Sequence, residues 1–179
     1  FAMLQSIAKE LPWEEQMSTM QAENAKGANI RAQIALRGTG ILMAWQGTVH
    51  PFRFKPAWQE IANLPWQAQL AHLRDTAFRQ RMITEASVYP ETDLAALLMV
   101  VSQGWFTQYE MGEAFNYEPT PAETILALAK ARGVSGDEYA YDLLMRNDGT
   151  GFIYLPLLNY ADGNLDFVQC LLQREDAVI

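Results

Sequence analysis

The chain is poor in the residues that make chemistry easy to read. Cys170 is its single cysteine among 179 residues, so an internal disulfide framework is excluded. There are two histidines, His50 and His72, and their separation fits no compact zinc motif. No serine occupies a Gly-x-Ser-x-Gly elbow. Gly38-Thr39-Gly40 lacks the further glycine and the lysine of a phosphate loop. Basic residues are in deficit, 13 Lys and Arg against 21 Asp and Glu, for a formal net charge of −8. A nucleic-acid backbone is repelled by such a balance, and no Lys/Arg cluster offsets it. Long apolar runs are missing too. The uncharged stretch from Leu94 to Phe106 is broken by Ser102-Gln103-Gly104 and is too short to span a bilayer. Nucleic acid and membrane are therefore not expected partners, and a cytoplasmic location is expected.

What is present is globular. Half the residues are hydrophobic (50%) and 19% are charged, which permits a buried core. The chain opens on Phe1-Ala2-Met3-Leu4-Gln5 and closes on Ala177-Val178-Ile179. Both runs read as buried strands, and the expectation is a segment of a larger domain.

Between them the pattern predicts a first helix over 12–26, with Pro12 in its first turn, Glu14 and Glu15 near its positive end, and Gly27 as its stop. Alternation in Ile30–Leu36 predicts a strand that ends at Arg37-Gly38-Thr39-Gly40. Strand, helix and strand make one βαβ unit. Short helices are predicted over 57–63, 66–74 and 76–86, the last capped by Asp75. Residues 93–101 read as helix at the start and strand at the end, and 105–119 as an irregular, aromatic-rich loop. Thr120, Pro121 and Glu123 predict the start of a helix that Gly133 ends. A helix over 137–147, a strand over 152–155, a helix over 165–173 capped by Asp162 or Asn164, and a strand from Ala177 complete the reading.

Few residues stand out as chemical. His50 lies in the Pro-bounded segment Thr48-Val49-His50-Pro51-Phe52, where a ligand contact competes with a hydrogen bond that ties the loop down. His72 falls on an amphipathic helix and reads as structural or solvated. Cys170, in Phe167-Val168-Gln169-Cys170-Leu171-Leu172, reads as a small buried hydrophobe. The carboxylate pairs Glu14/Glu15, Glu110/Glu113, Asp137/Glu138 and Glu175/Asp176 are explained by helix caps and solvated faces. No catalytic constellation is named by these residues.

Several stretches together resemble the N-acyl-D-amino-acid deacylase (D-aminoacylase) branch of the amidohydrolase superfamily. They are Gly47-Thr48-Val49-His50-Pro51-Phe52, Ala57-Trp58-Gln59-Glu60-Ile61-Ala62-Asn63-Leu64-Pro65, Leu73-Arg74-Asp75-Thr76-Ala77-Phe78-Arg79, Glu123 to Gly133, Tyr141-Asp142-Leu143-Leu144, and Phe152 to Gly163. The resemblance implies an α/β fold: a partial (β/α)₈ (TIM) barrel segment, predominantly helical, with a few short parallel strands and a long helical insertion. Residues 1–5 would be the sixth barrel strand, 30–36 the seventh and 177–179 the start of the eighth. Residues 1–40 would form a barrel βαβ unit, 41–150 the insertion, and 151–179 the return to the barrel.

The same resemblance implies a metal-dependent hydrolase acting on a C–N amide bond of an N-acyl amino acid. Zinc is expected in the parent enzyme, with no cofactor in this segment and no activity from it alone. The family's metal-binding His on strand six has no counterpart in Phe1–Gln5. Within the segment the implied substrate-binding residues are Arg37, whose guanidinium would pair with a carboxylate, and His50, with 105–117 as part of a lid. The alternative is a stand-alone helical binding or scaffold module that docks a protein partner. Exposed sheet edges would favour a homo-oligomer.

Overall fold

Pro12 fixes the entry to the first helix. The structure, a computed structural model, describes residues 1–6, 12–112 and 114–179. Glu113, one of the paired carboxylates above, lies outside the described residues. The fold is α/β, about 44% helical, with a few short strands and, among the described residues, no closed barrel. The chain divides into two compact units. Unit 1 is Phe1–Ile41, Asn116–Thr120 and Pro156–Ile179; unit 2 is Leu42–Phe115 and Pro121–Leu155.

Unit 1 carries α1 (Trp13–Ala25), β1 (Ala32–Gln33), α9 (Asp166–Leu172) and β5 (Ala177–Val178). β1 and β5 are parallel, with Ala32 opposite Ala177 and Gln33 opposite Val178. On the other side of β1, Ala2 makes a parallel bridge to Gln33. Met3 donates to the Gln33 carbonyl at 2.8 Å, and Gln33 donates to the Phe1 carbonyl at 2.8 Å. Three parallel stretches thus lie side by side in chain order. The ladder is shorter than the apolar run 30–36 predicts, because β5 offers only two paired positions.

Met3, Ala32 and Ile34 form the core of this unit with Met17 and Met20 of α1 and Phe167, Val168 and Leu171 of α9. Trp13 meets Phe167 nearly edge-on, ring centres 5.3 Å apart. Cys170 is exposed, not buried as its apolar neighbours predict. α9 turns Phe167, Val168 and Leu171 inward, and a helical period leaves the position after Gln169 outside.

Unit 2 is mostly helical: α2 (Pro56–Ile61), α3 (Trp66–Arg74), α4 (Thr76–Thr84), α5 (Ala95–Gln103), α6 (Ile125–Arg132), α7 (Gly136–Leu144) and a single kinked turn, α8 (Arg146–Gly149). Asp75 caps α4, accepting from the Phe78 amide at 2.8 Å. β4 (Phe152–Leu158) stands between β2 (Thr39–Met43) and β3 (Tyr109–Met111). β3 and β4 are antiparallel, with Tyr109 opposite Tyr154.

Three expectations are corrected here. Residues 95–103 stay helical through Val100 and Val101, because the buried Gln108 amide donates to both their carbonyls, at 2.8 and 2.9 Å, and so satisfies the helix end. The aromatic segment after Trp105 is not wholly irregular, since it supplies β3. The α-helix predicted to begin at Pro121 starts four residues later, at Ile125. Pro121–Glu123 form a 3₁₀ turn, and Thr124 caps α6, accepting from the Ala127 amide at 3.2 Å and donating to the Pro121 carbonyl at 2.9 Å.

Candidate functional site

In unit 1 the polar residues gather at the carboxyl end of the N-terminal stretch. Gln5 is buried. Its amide N–H donates to Asn159 Oδ1 at 2.9 Å, and the Asn159 amide N–H donates back to the Gln5 carbonyl at 2.7 Å. Gln5 Nε2 donates to Asp162 Oδ2 at 2.6 Å, while Gln5 Oε1 accepts from the Ala161 amide at 3.1 Å. Asn159 is wholly buried, holds a left-handed φ of 61°, and its Nδ2 reaches no protein partner. An asparagine tolerates that conformation better than a β-branched residue. The Asn159-Tyr160-Ala161-Asp162-Gly163 turn is pinned further by Tyr160, whose hydroxyl donates to the Pro119 carbonyl at 2.6 Å.

A cavity of about 250 Å³ opens beside this turn, lined by Gln5, Ser6, Trp13, Glu14 and Asp162 among others. It joins an amide, a hydroxyl and two carboxylates. Such a set exchanges hydrogen bonds with a neutral polar or cationic group and repels a second anion. Sequence reasoning missed Gln5 and Asn159 and read Asp162 only as a cap. The available signal was a polar Asn-x-x-Asp-Gly run directly after an apolar strand.

Arg37 is exposed, three residues beyond the buried Ile34, and makes no ion pair among the described residues. A free guanidinium in that position can take a carboxylate. His50 is placed differently. It is 0% exposed in the interior of unit 2, in an aromatic cluster. Its ring stands nearly perpendicular to Trp58 at 4.3 Å and meets Trp45 at 5.2 Å. Trp45 stacks on Trp58 at 5.4 Å and on Phe52 at 5.2 Å. Neither His50 nitrogen reaches a protein hydrogen-bond partner. Burial, with a smaller contribution from nearby Arg53, pushes its pKa down from 6.5 to about 3. The ring is neutral at ordinary pH, and a substrate would meet it only if the core opened. Arg37 belongs to unit 1 and His50 to unit 2.

The aromatic segment after Trp105 splits its roles. Trp105 and Tyr109 are buried, Phe115 meets Tyr154 edge-on at 5.2 Å, and Phe106 and Tyr117 are exposed. His72 is exposed on α3, beside Phe78 at 5.6 Å.

The described residues do not fit a zinc site. No group of three or more His, Cys, Asp or Glu among them is placed to hold a metal ion. No helix among them is long and apolar enough to cross a membrane. No protein-family model, no curated protein and no solved structure matches the chain.

Proposed function

We propose that this chain is a segment of an amidohydrolase-type (β/α)₈ barrel resembling the N-acyl-D-amino-acid deacylases, and that its part in the reaction is to bind and orient substrate. One observation carries the reading. Residues 1–5, β1 and β5 run parallel and adjacent in chain order, with α1 and α9 packed on them. That is how consecutive strands of a barrel are laid. Barrel enzymes work at the carboxyl ends of their strands. In this chain those ends carry the Gln5–Asn159–Asp162 cluster and, beyond β1, Arg37.

The chemistry assigned to these residues is modest. Arg37 pairs with the carboxylate of an N-acyl amino acid, and the Gln5 and Asp162 groups offer hydrogen bonds to a neutral amide. The bond-breaking groups are not assigned within this chain.

The test uses the reading frame that encodes the chain. The family that this chain resembles carries its catalytic Asp in a Ser-Asp-Gly sequence just beyond strand eight, so the expected frame continues past Ile179 into that sequence, and its product hydrolyses N-acyl-D-amino acids. In that product Arg37→Ala raises KM about tenfold or more, with kcat little changed, since a charge-assisted pair contributes roughly 1.5–3 kcal/mol. A product that neither hydrolyses these amides nor carries that sequence sinks the proposal and favours a helical binding module.

A further inference from the structure

The turn that carries Asp162 is held by two parts of unit 1. Gln5 grips it at Asn159, Ala161 and Asp162, as described above. Residues 116–120 grip it as well. This stretch is neither helix nor strand, and it belongs to unit 1 although its chain neighbours on both sides belong to unit 2. Its shape is set locally. The Glu118 amide donates to Asn116 Oδ1 at 3.0 Å, and Asn116 Nδ2 donates to the Glu118 carbonyl at 3.1 Å, so a side chain closes a turn two residues on. Pro119 fixes its own φ and stiffens the stretch further.

Two contacts fasten it to the turn. The Tyr160 hydroxyl donates to the Pro119 carbonyl at 2.6 Å, and both residues are buried. The Leu165 amide donates to Glu118 Oε1 at 2.9 Å, a bond to an exposed carboxylate. Adjacent residues of the stretch thus hold the two ends of Tyr160–Leu165, and between those ends lie Ala161 and Asp162, which line the cavity of about 250 Å³. The turn needs such support. Asn159 holds a left-handed φ of 61° and buries an unpartnered Nδ2, and both features weigh against the closed arrangement. Gly163, at φ 71°, is the point where the turn can hinge. Its amide is tied only to the turn itself, at the Tyr160 carbonyl, 3.2 Å away.

We infer that residues 116–120 are a latch on the candidate site. Fastened, they hold Ala161 and Asp162 against Gln5 as one wall of the cavity. Released, they let the turn hinge at Gly163 and break the Gln5–Asp162 contact. A ligand that needs Gln5 and Asp162 together therefore favours the fastened latch, and the fastened latch favours that ligand equally. The latch rests on the same cluster as the proposed function but not on the reaction assigned to it, so either can fail without the other.

The test is native-state amide hydrogen exchange on the ¹⁵N-labelled chain. Tyr160→Phe keeps the buried ring and removes the donor. Glu118→Ala acts from the surface, where the fold is not at stake. Each should speed exchange at Asn159, Ala161 and Gly163 by about three- to tenfold, the effect of losing one hydrogen bond. Each should also move the Gln5 side-chain NH₂ signals towards those of a free amide. Tyr160→Phe should act across the latch and speed the Leu165 amide by a similar factor. Glu118→Gln keeps an acceptor and should restore most of the protection. Exchange within α1 should stay as it is. An unchanged Leu165 rate in Tyr160→Phe, or Gln5 signals that stay put in both variants, means that the two contacts act independently and overturns the latch. So does an acceleration in Glu118→Ala that spreads equally through α1.

Discussion

His50 shows how one buried side chain can set the acid limit of a protein. Its imidazole ionises near 6.5 when exposed and at about 3 in place, chiefly because the aromatic interior excludes the water that would solvate the cation. Between those values the unfolded chain takes a proton that the folded chain refuses. Stability is therefore complete above pH 6.5 and declines as the pH falls towards 3, by roughly 5 kcal/mol over the full range. His50→Phe removes the titration and replaces two unpartnered nitrogens with an apolar ring edge. Urea unfolding between about pH 4 and pH 7 should show a much flatter pH dependence for this variant than for the parent. An unchanged slope would assign the acid sensitivity to other groups. The sequence marked His50 as special, from its Pro-bounded segment, but not in which sense. Burial depends on Trp45 and Trp58 converging on it, with Phe52 and Tyr141 packed on Trp45, and three-dimensional convergence leaves no local trace. Cys170 misled for the related reason that helix phase, not the polarity of its neighbours, decides which side faces out.

At the scale of elements, the helices were the legible part. α3 begins at Trp66 and ends at Arg74 where the pattern predicts, since Pro65 and Asp75 punctuate it on both sides. α4 follows its Asp75 cap, and α6 stops at Gly133 with φ 71°. The strands were harder. β1, β3 and β5 are two or three residues long, and such short runs carry no usable period. β3 hid inside an aromatic stretch because its existence depends on a distant partner, β4. The turn of α8 was legible only in part. Asp148-Gly149 signals an exit, and the structure shows why the glycine is needed: its φ is 82°, and a Cβ there would come within 2.9 Å of the Trp66 ring. Both constraints act together. Gly149→Ala should lower stability by about 2–4 kcal/mol, read from the urea midpoint at constant m. Gly163 is the control. It too has a positive φ, 71°, but nothing lies within 4 Å of an added Cβ, so Gly163→Ala should lose only about 1 kcal/mol.

At the scale of the whole molecule, the two units differ in how they are held. Unit 1 is assembled from three separate stretches of chain and, among the described residues, has a core cluster of eight buried residues, three of them methionines. Its long-range order depends on a ladder of very short strands. Unit 2 draws on two stretches and buries stacked aromatics, cross-braced by ties such as Tyr141 Oη to the Leu73 carbonyl at 2.6 Å and the buried Lys55 Nζ to the Glu85 carbonyl at 2.7 Å. Aromatic side chains bury more surface each than methionine and add pairwise ring contacts of about 0.5–1.5 kcal/mol. A small core closed by several chain crossings should open first. The tryptophans report this directly, because Trp13 is in unit 1 while Trp45, Trp58, Trp66 and Trp105 are in unit 2. With 5-fluorotryptophan incorporated, each indole gives its own ¹⁹F resonance. In a urea titration the native Trp13 signal should vanish at a lower concentration than the other four, which should disappear together. Loss of all five at one midpoint would mean that the methionine core is held as firmly as the aromatic one, and that ring stacking in unit 2 confers no separate margin.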